Sequence, residues 1–164
     1  MATEPSGKSN GAGPVEPAAS ADTPPQPRFE LITQYIRDLS FENFAAQKYI
    51  TGQIDQQLSV DLNIDAKTRA ENRFEVILKL SVSAKRDKES VFLLEVDYGG
   101  QFLIENIPDD QLHPMLMVEC PRLLFPFLRQ LARNLTAEGG FPPLNIENID
   151  FLRLYKQRLA QSSG

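Results

Sequence analysis

CPRLLFPFLRQLARNLTAEGGFPPLNIENIDF, residues 120–151, builds one helix, stops it and starts another. Pro121 suits a first helical turn, where its missing N–H has no intrahelical partner and its ring already holds a helical φ. Pro126 lies a turn further in, removes a hydrogen bond and crowds the carbonyl of Arg122, which predicts a kink or a local break. Leu123, Leu124, Phe127, Leu128, Leu131 and Leu135 recur at helical spacing as a wide apolar stripe, with Arg122, Arg129 and Arg133 mostly off it. Gly139-Gly140 supplies a left-handed stop, and Pro142-Pro143 prevents continuation. Asn148 is the expected cap of a shorter second helix.

Such a stripe needs a surface to cover, and the chain upstream supplies one. Leu58, Val60, Leu62 and Ile64 alternate with polar residues, as do Phe74, Val76, Leu78, Leu80, Val82 and Ala84, and then Phe92, Leu94, Val96 and Tyr98. Turns are expected at 67–72 and 86–88, and a bulge or bend at Gly99-Gly100. Residues 29–41 read as a further strand, with Phe29, Leu31, Tyr35, Leu39 and Phe41 on one side and Ile32 and Ile36 on the other. Residues 42–53 read as a long connection that carries aromatics. A short helix is expected over 109–118, ending before Cys120-Pro121 because the residue before a proline disfavours helix. Strands first and helices last predict an α+β fold, a four-stranded antiparallel sheet with C-terminal helices packed on one face.

The 164 residues suit one domain, and 41% hydrophobic residues suffice for a core. Residues 1–27 hold six of the twelve prolines and no aromatic side chain, so a disordered tail is expected there and a folded domain over 28–164. A net charge of −5 without a basic cluster excludes a general nucleic-acid binder. Cys120 is the only cysteine, which rules out an intramolecular disulfide or a cysteine-based zinc site and fits a reducing compartment. No apolar leader segment and no run near the ~20 residues of a membrane span occur, so the expectation is a cytoplasmic protein without direct membrane insertion.

Catalytic constellations are missing. A nucleophilic device would have to use the single His113, which precedes Pro114 at a helix start, and nothing in the sequence supplies a cation to activate Cys120. Gly99-Gly100 lacks the lysine and hydroxyl of a phosphate loop, and Asp109-Asp110 is explained by a helix start. The expectation is no enzyme, no metal and no cofactor. On the outward side of the 91–98 strand, Leu93 lies beside Glu95 and Asp97. That arrangement fits either a solvated face with scattered apolar residues or a docking patch that is part hydrophobic and part electrostatic.

Three stretches in order, RDLSFEN (37–43), FLLEVDYGGQF (92–102) and the 120–151 segment, resemble the SecB protein-export chaperone family over roughly residues 28–160. The resemblance implies a SecB-like fold and a homotetramer, a dimer of dimers with helices between two sheets. It implies a passive chaperone that binds unfolded precursor polypeptides, keeps them export-competent and delivers them to the translocation ATPase SecA. Asp38, Glu42, Leu93 and Glu95 match positions that dock SecA, while Leu94, Val96 and Tyr98 on the opposite face would serve packing or oligomer contacts. The family's client grooves are apolar. Phe41, Phe44 and Tyr49 on the long connection, with Phe141, Leu144, Phe151 and Tyr155 around the second helix, have the chemistry for such a groove and equally for closing the core. The alternative is a SecB-like chaperone serving another client, such as an antitoxin, without an export role.

Overall fold

The computed structural model describes residues 23–50 and 55–164, with Thr3 and Gly13. Most of the expected disordered tail, and residues 51–54 of the long connection, lie outside the described residues. Four antiparallel strands form one sheet: β1 (Arg28–Asn43), β2 (Gln57–Ala70), β3 (Arg73–Arg86) and β4 (Glu89–Glu105), in the order β1-β4-β3-β2. A short helix α1 (Phe44–Gln47) follows β1. The helices α2 (Asp109–Pro114), α3 (Cys120–Glu138) and α4 (Phe151–Ser162) follow the sheet.

The alternating residues of β3 and β4 point to the helices as expected: Val76, Leu78, Leu80, Val82, Leu94, Val96 and Phe102 are all buried with Leu124 and Leu128 of α3. The turn between β2 and β3 is shorter than 67–72. Lys67 and Thr68 still pair with Glu75 and Phe74, and Asn72 takes the left-handed conformation that asparagine tolerates.

Gly99-Gly100 makes no bend. The β4 strand runs straight through, and the glycines are needed for close approach. A Cβ at Gly100 would stand 2.8 Å from Leu124 of α3, and one at Gly99 would stand 3.1 Å from the Tyr35 ring. The irregularities fall in β1 instead, where the register shifts between Leu31 and Thr33 and again between Ile36 and Asp38. Each bulge flips the alternation. Tyr35 therefore lies opposite Gly99 on the outer face, while Ile36, opposite Tyr98, joins Phe29, Leu31, Leu39 and Phe41 on the helix side.

Nor does the helix break before Pro121. Residues Met115–Glu119 form a π-helical turn between α2 and α3, and Glu119 and Cys120 keep helical dihedrals. The wider i→i+5 turn gives the proline ring room where an α-turn would clash, and α3 likewise runs on through Pro126. It ends as a Schellman motif. Gly140 has φ +83°, its N–H donates to Ala137 O at 3.0 Å, and Phe141 N–H donates to Thr136 O at 3.1 Å. The cap of α4 is Asp150, whose carboxylate accepts from Arg153 N–H at 3.1 Å. Asn148 instead accepts from the Arg129 guanidinium.

Candidate functional site

The outer face of the sheet carries the acidic positions. Glu42 lies opposite Leu93, Ser40 opposite Glu95 and Asp38 opposite Asp97, so Asp38, Glu42, Leu93 and Glu95 all project away from the helices. The second β1 bulge is what brings Asp38 to that side. A shallow hollow of about 250 Å³ is lined by Asp38, Asp61, Asn63, Lys79, Glu95 and Asp97. Lys79 is the one cation among these side chains, so the hollow presents an excess of negative charge.

The other end of the same face is locked. Glu75, only 8% exposed, accepts from the Tyr35 hydroxyl and from Arg69, with Arg37 at 3.6 Å. The Tyr35 hydrogen bond, followed by that of Arg69, holds the Glu75 carboxyl below its ordinary pKa despite burial. Burial pushes the Tyr35 phenol up, and Glu75 adds to that shift. One end of the face is thus internally neutralised, and the other stays open to a cationic partner.

The expected client-contacting residues fall into three groups. Phe41 and Phe141 converge on Phe92, with ring centroids at 5.8 and 4.8 Å, where a Cβ on Gly139 would meet the Phe41 ring at 2.7 Å. Asn43 joins the same corner by donating to Gly139 O at 2.9 Å. Phe151 is buried edge-on against Phe125 at 5.6 Å, and Leu144 is buried with its N–H donating to Thr136 Oγ1 at 2.9 Å, so both side chains are occupied within the core. Phe44 is half-buried, while Tyr49 is 90% exposed at φ 56°. Tyr155 is half-buried, its hydroxyl 2.9 Å from Nδ1 of the exposed His113, a contact that ties α4 to α2. Leu94, Val96 and Tyr98 lie inside the core beneath the helices. Burial and the neighbouring Glu119 carboxylate push the Cys120 thiol up, away from nucleophilic chemistry.

Reading the sequence missed the two sheet edges. The helices are centred on β3 and β4, with α3 over both strands and Ala45 of α1 and Phe151 of α4 buried in the same core, so apolar side chains on the flanking strands stay open. Phe29, Ile36 and Leu39 of β1 are exposed, as are Leu58 and Val60 of β2, and Leu152 and Leu159 of α4. Leu123 and Phe127 are exposed on one flank of α3, with Arg129 and Arg133 on the other. The alternation marked β2 correctly as one-sided. Its edge position was invisible because strand order is not written in period two.

A four-stranded antiparallel sheet backed by C-terminal helices, with carboxylates across its outer face and apolar side chains open at both edges, defines the class of the subunit as α+β with two chemically distinct surfaces. Its fold is similar to that of a SecB-like chaperone of Mycobacterium tuberculosis solved with a peptide from the HigA1 antitoxin, at a TM-score of 0.61 and 11% identity over 74% of this chain and 91% of that one. The family model for SecB, described as preprotein translocase subunit SecB, matches residues 22–162. A protein-export protein SecB from Dinoroseobacter shibae is 48% identical over 93% of this chain and 90% of its own length. One from Cereibacter sphaeroides is 49% identical over 87% and 89%. The chain belongs to the SecB family.

Proposed function

We propose that this protein holds unfolded preproteins by their apolar stretches in the cytoplasm, keeps them export-competent and passes them to SecA, acting as a homotetramer without nucleotide chemistry of its own. The observation that carries this reading is the separation of surfaces. The carboxylates Asp38, Glu42 and Glu95 with Leu93 lie on the outer face, whereas the open apolar side chains lie on the helix side and at the edges. A client and an ATPase can therefore be bound at once. The Phe41–Phe92–Phe141 corner, Tyr49 and Tyr155 offer the client broad contacts with few rotamers to freeze. The naming of the 45–49% identical relatives as protein-export proteins favours export over an antitoxin-directed role.

Support for assembly comes from β1. Helix-side residues Phe29, Leu31 and Gln34 before Tyr35 are matched at equal distances after it by Phe41, Leu39 and Ile36, and Arg28 is matched by Glu42. A strand that reads alike in both directions suits antiparallel pairing with its own copy about a two-fold axis. The buried Oε1 of Gln34 has no donor among the described residues. Light scattering on a size-exclusion column should give four times 18.4 kDa, with uptake of a precursor diluted from denaturant and none of its folded form. Leu93→Ala with Glu95→Ala should weaken SecA binding and leave client uptake intact. Unchanged SecA affinity would remove the outer face from the proposal.

A further inference from the structure

The helix-facing side of β1 holds one side chain that its own chain leaves unanswered. Between Phe29 and Phe41 that side carries Leu31, Gln34, Ile36 and Leu39, so Gln34 is the one polar group in an apolar row. It lies opposite Gly100, which has no side chain to offer, and Leu31, Leu124 and Phe102 crowd the space there. Its Oε1 is buried and accepts nothing from the described residues. An acceptor left so is costly, and most buried polar atoms in folded proteins have a partner. The amide gains a bond only by turning toward the open edge of β1, which no strand of this chain covers among the described residues.

That edge is the one proposed above to pair with a second copy about Tyr35. Positions 34 and 36 are one step either side of Tyr35, so the pairing sets Gln34 of each copy opposite Ile36 of the other. The two Gln34 side chains then lie diagonally across the axis, on the same face. Diagonal neighbours on antiparallel strands stand about 7–8 Å apart, within reach of long side chains. A glutamine amide carries both a donor and an acceptor. Two of them related by a two-fold axis can bond reciprocally, each Nε2–H donating to the other's Oε1.

We propose that Gln34 is the residue by which this chain selects another copy of itself. The two Gln34 amides bond to each other across the axis, and a strand with an apolar residue at that position is a disfavoured partner. The pair contributes selectivity rather than strength. Apolar side chains along β1 drive association, and the amides among them discriminate because a mixed pairing leaves one of them orphaned. The inference rests on the β1 pairing proposed above.

The test is a mixing experiment on the full chain. Wild-type chain labelled with nitrogen-15 is mixed in urea with an equal amount of unlabelled Gln34→Leu and refolded with it. Native mass spectrometry then reads the composition of the four-chain assemblies. Mixed pairs should be disfavoured about thirty-fold, the low end for two orphaned amides, so that unmixed assemblies rise from a random share of about one eighth to about one third. Gln34→Glu should shift the mixture the other way at pH 8. Two carboxylates repel, whereas a carboxylate beside a glutamine accepts its Nε2–H, so half-and-half assemblies should exceed their random share of about three eighths. Random proportions in both mixtures, or shifts of the same sign, would overturn the amide pair.

Should either variant fail to assemble by itself, the unaltered chain decides. In assemblies of equal parts labelled and unlabelled wild-type chain, the Gln34 amide protons of a labelled copy should show a nuclear Overhauser contact with those of an unlabelled one. Absence of that contact would overturn the proposal. A wild-type chain that stays single lacks the assembly itself. One that assembles and mixes at random with both variants lacks only the amide pair.

Discussion

The two edges of the sheet solve one problem in opposite ways. An uncovered edge strand is a template for pairing, and native proteins blunt it with charge, bulges or a covering element. In β2 the blunting is one-sided. Arg158, Lys67, Arg69 and the shift near Thr68 close the second half, and the first half stays open. In β1 the pattern is symmetric about Tyr35, its two bulges fall on either side of that residue, and apolar side chains continue along the whole strand. A symmetric, apolar edge suits a permanent copy of itself, and one closed over half its length by cations does not.

The largest effect expected from breaking this comparison is on β1. Ile36→Lys with Leu39→Lys places two charges on the apolar side of the edge, and association should weaken by at least about a hundred-fold, as loss of interface anchors does. Light scattering should then report half the assembled mass or less. An unchanged mass would mean that β1 is not the pairing edge.

Next comes the sheet centre, which both edges depend on. Gly100→Ala would press a methyl against Leu124 at 2.8 Å and should cost about 1–3 kcal/mol in urea unfolding, as overpacking does. Gly99→Ala meets only the Tyr35 ring and the Ile77 side chain, which can shift, and should cost less. The reverse order would mean that α3 is not the rigid neighbour.

A smaller effect belongs to the polar cluster beside the proposed two-fold. Because Glu75 titrates lower folded than unfolded, its contribution is present above the ordinary carboxylate range and is lost as pH falls through the depressed value. Melting temperature should therefore fall on acidification below about pH 4, near the unfolded glutamate value. Glu75→Gln should be less stable at pH 7 and show a shallower acid slope. The raised Tyr35 phenol acts at the other extreme, where its contribution is lost as pH rises beyond 10. Tyr35→Phe should lose about 1.5 kcal/mol at neutral pH, the low end of the scale for a hydrogen bond to a charged acceptor. A parallel acid profile in Glu75→Gln would remove this cluster from the account.

How much of this could be read beforehand depended on whether the signal was periodic or contextual. Leu58 to Ile64, Phe74 to Ala84 and Phe92 to Tyr98 announced their helix-facing sides by alternation, and the placement of Leu93 and Glu95 outward followed. Counting by twos failed in β1 because a bulge adds one residue without changing composition, so Tyr35 was assigned to the wrong side. Val91 is in step with the outward Leu93 when counted by twos, yet it is buried, for the same reason, at the shift between Ala84 and Lys85. Pro121 looked like a boundary because α-helical sterics were assumed, and the π-turn that relieves them has no sequence mark. The groove aromatics were ambiguous by nature. The same ring closes a core or meets a client, and only burial separates Phe151 from Tyr49.

The finest test concerns register. Two-fold pairing about Tyr35 places Arg28 of one copy opposite Glu42 of another, both on the outer face. Arg28→Glu should weaken association only a few-fold, because an exposed ion pair is worth about 0.2–1 kcal/mol, and the effect should shrink in high salt. Within its own chain Arg28 also meets Glu30 at 2.8 Å and Glu105 at 3.8 Å, so the reversal disturbs folding too. Those contacts exist in both the free and the assembled chain and cancel in an association constant, whereas the contact with Glu42 exists only in the assembly. Adding Glu42→Arg should therefore restore association lost to Arg28→Glu without restoring the intrachain pairs. If the double variant associates no better than the single one, the strands pair in another register, even where the Ile36 and Leu39 substitutions have shown that β1 is the edge.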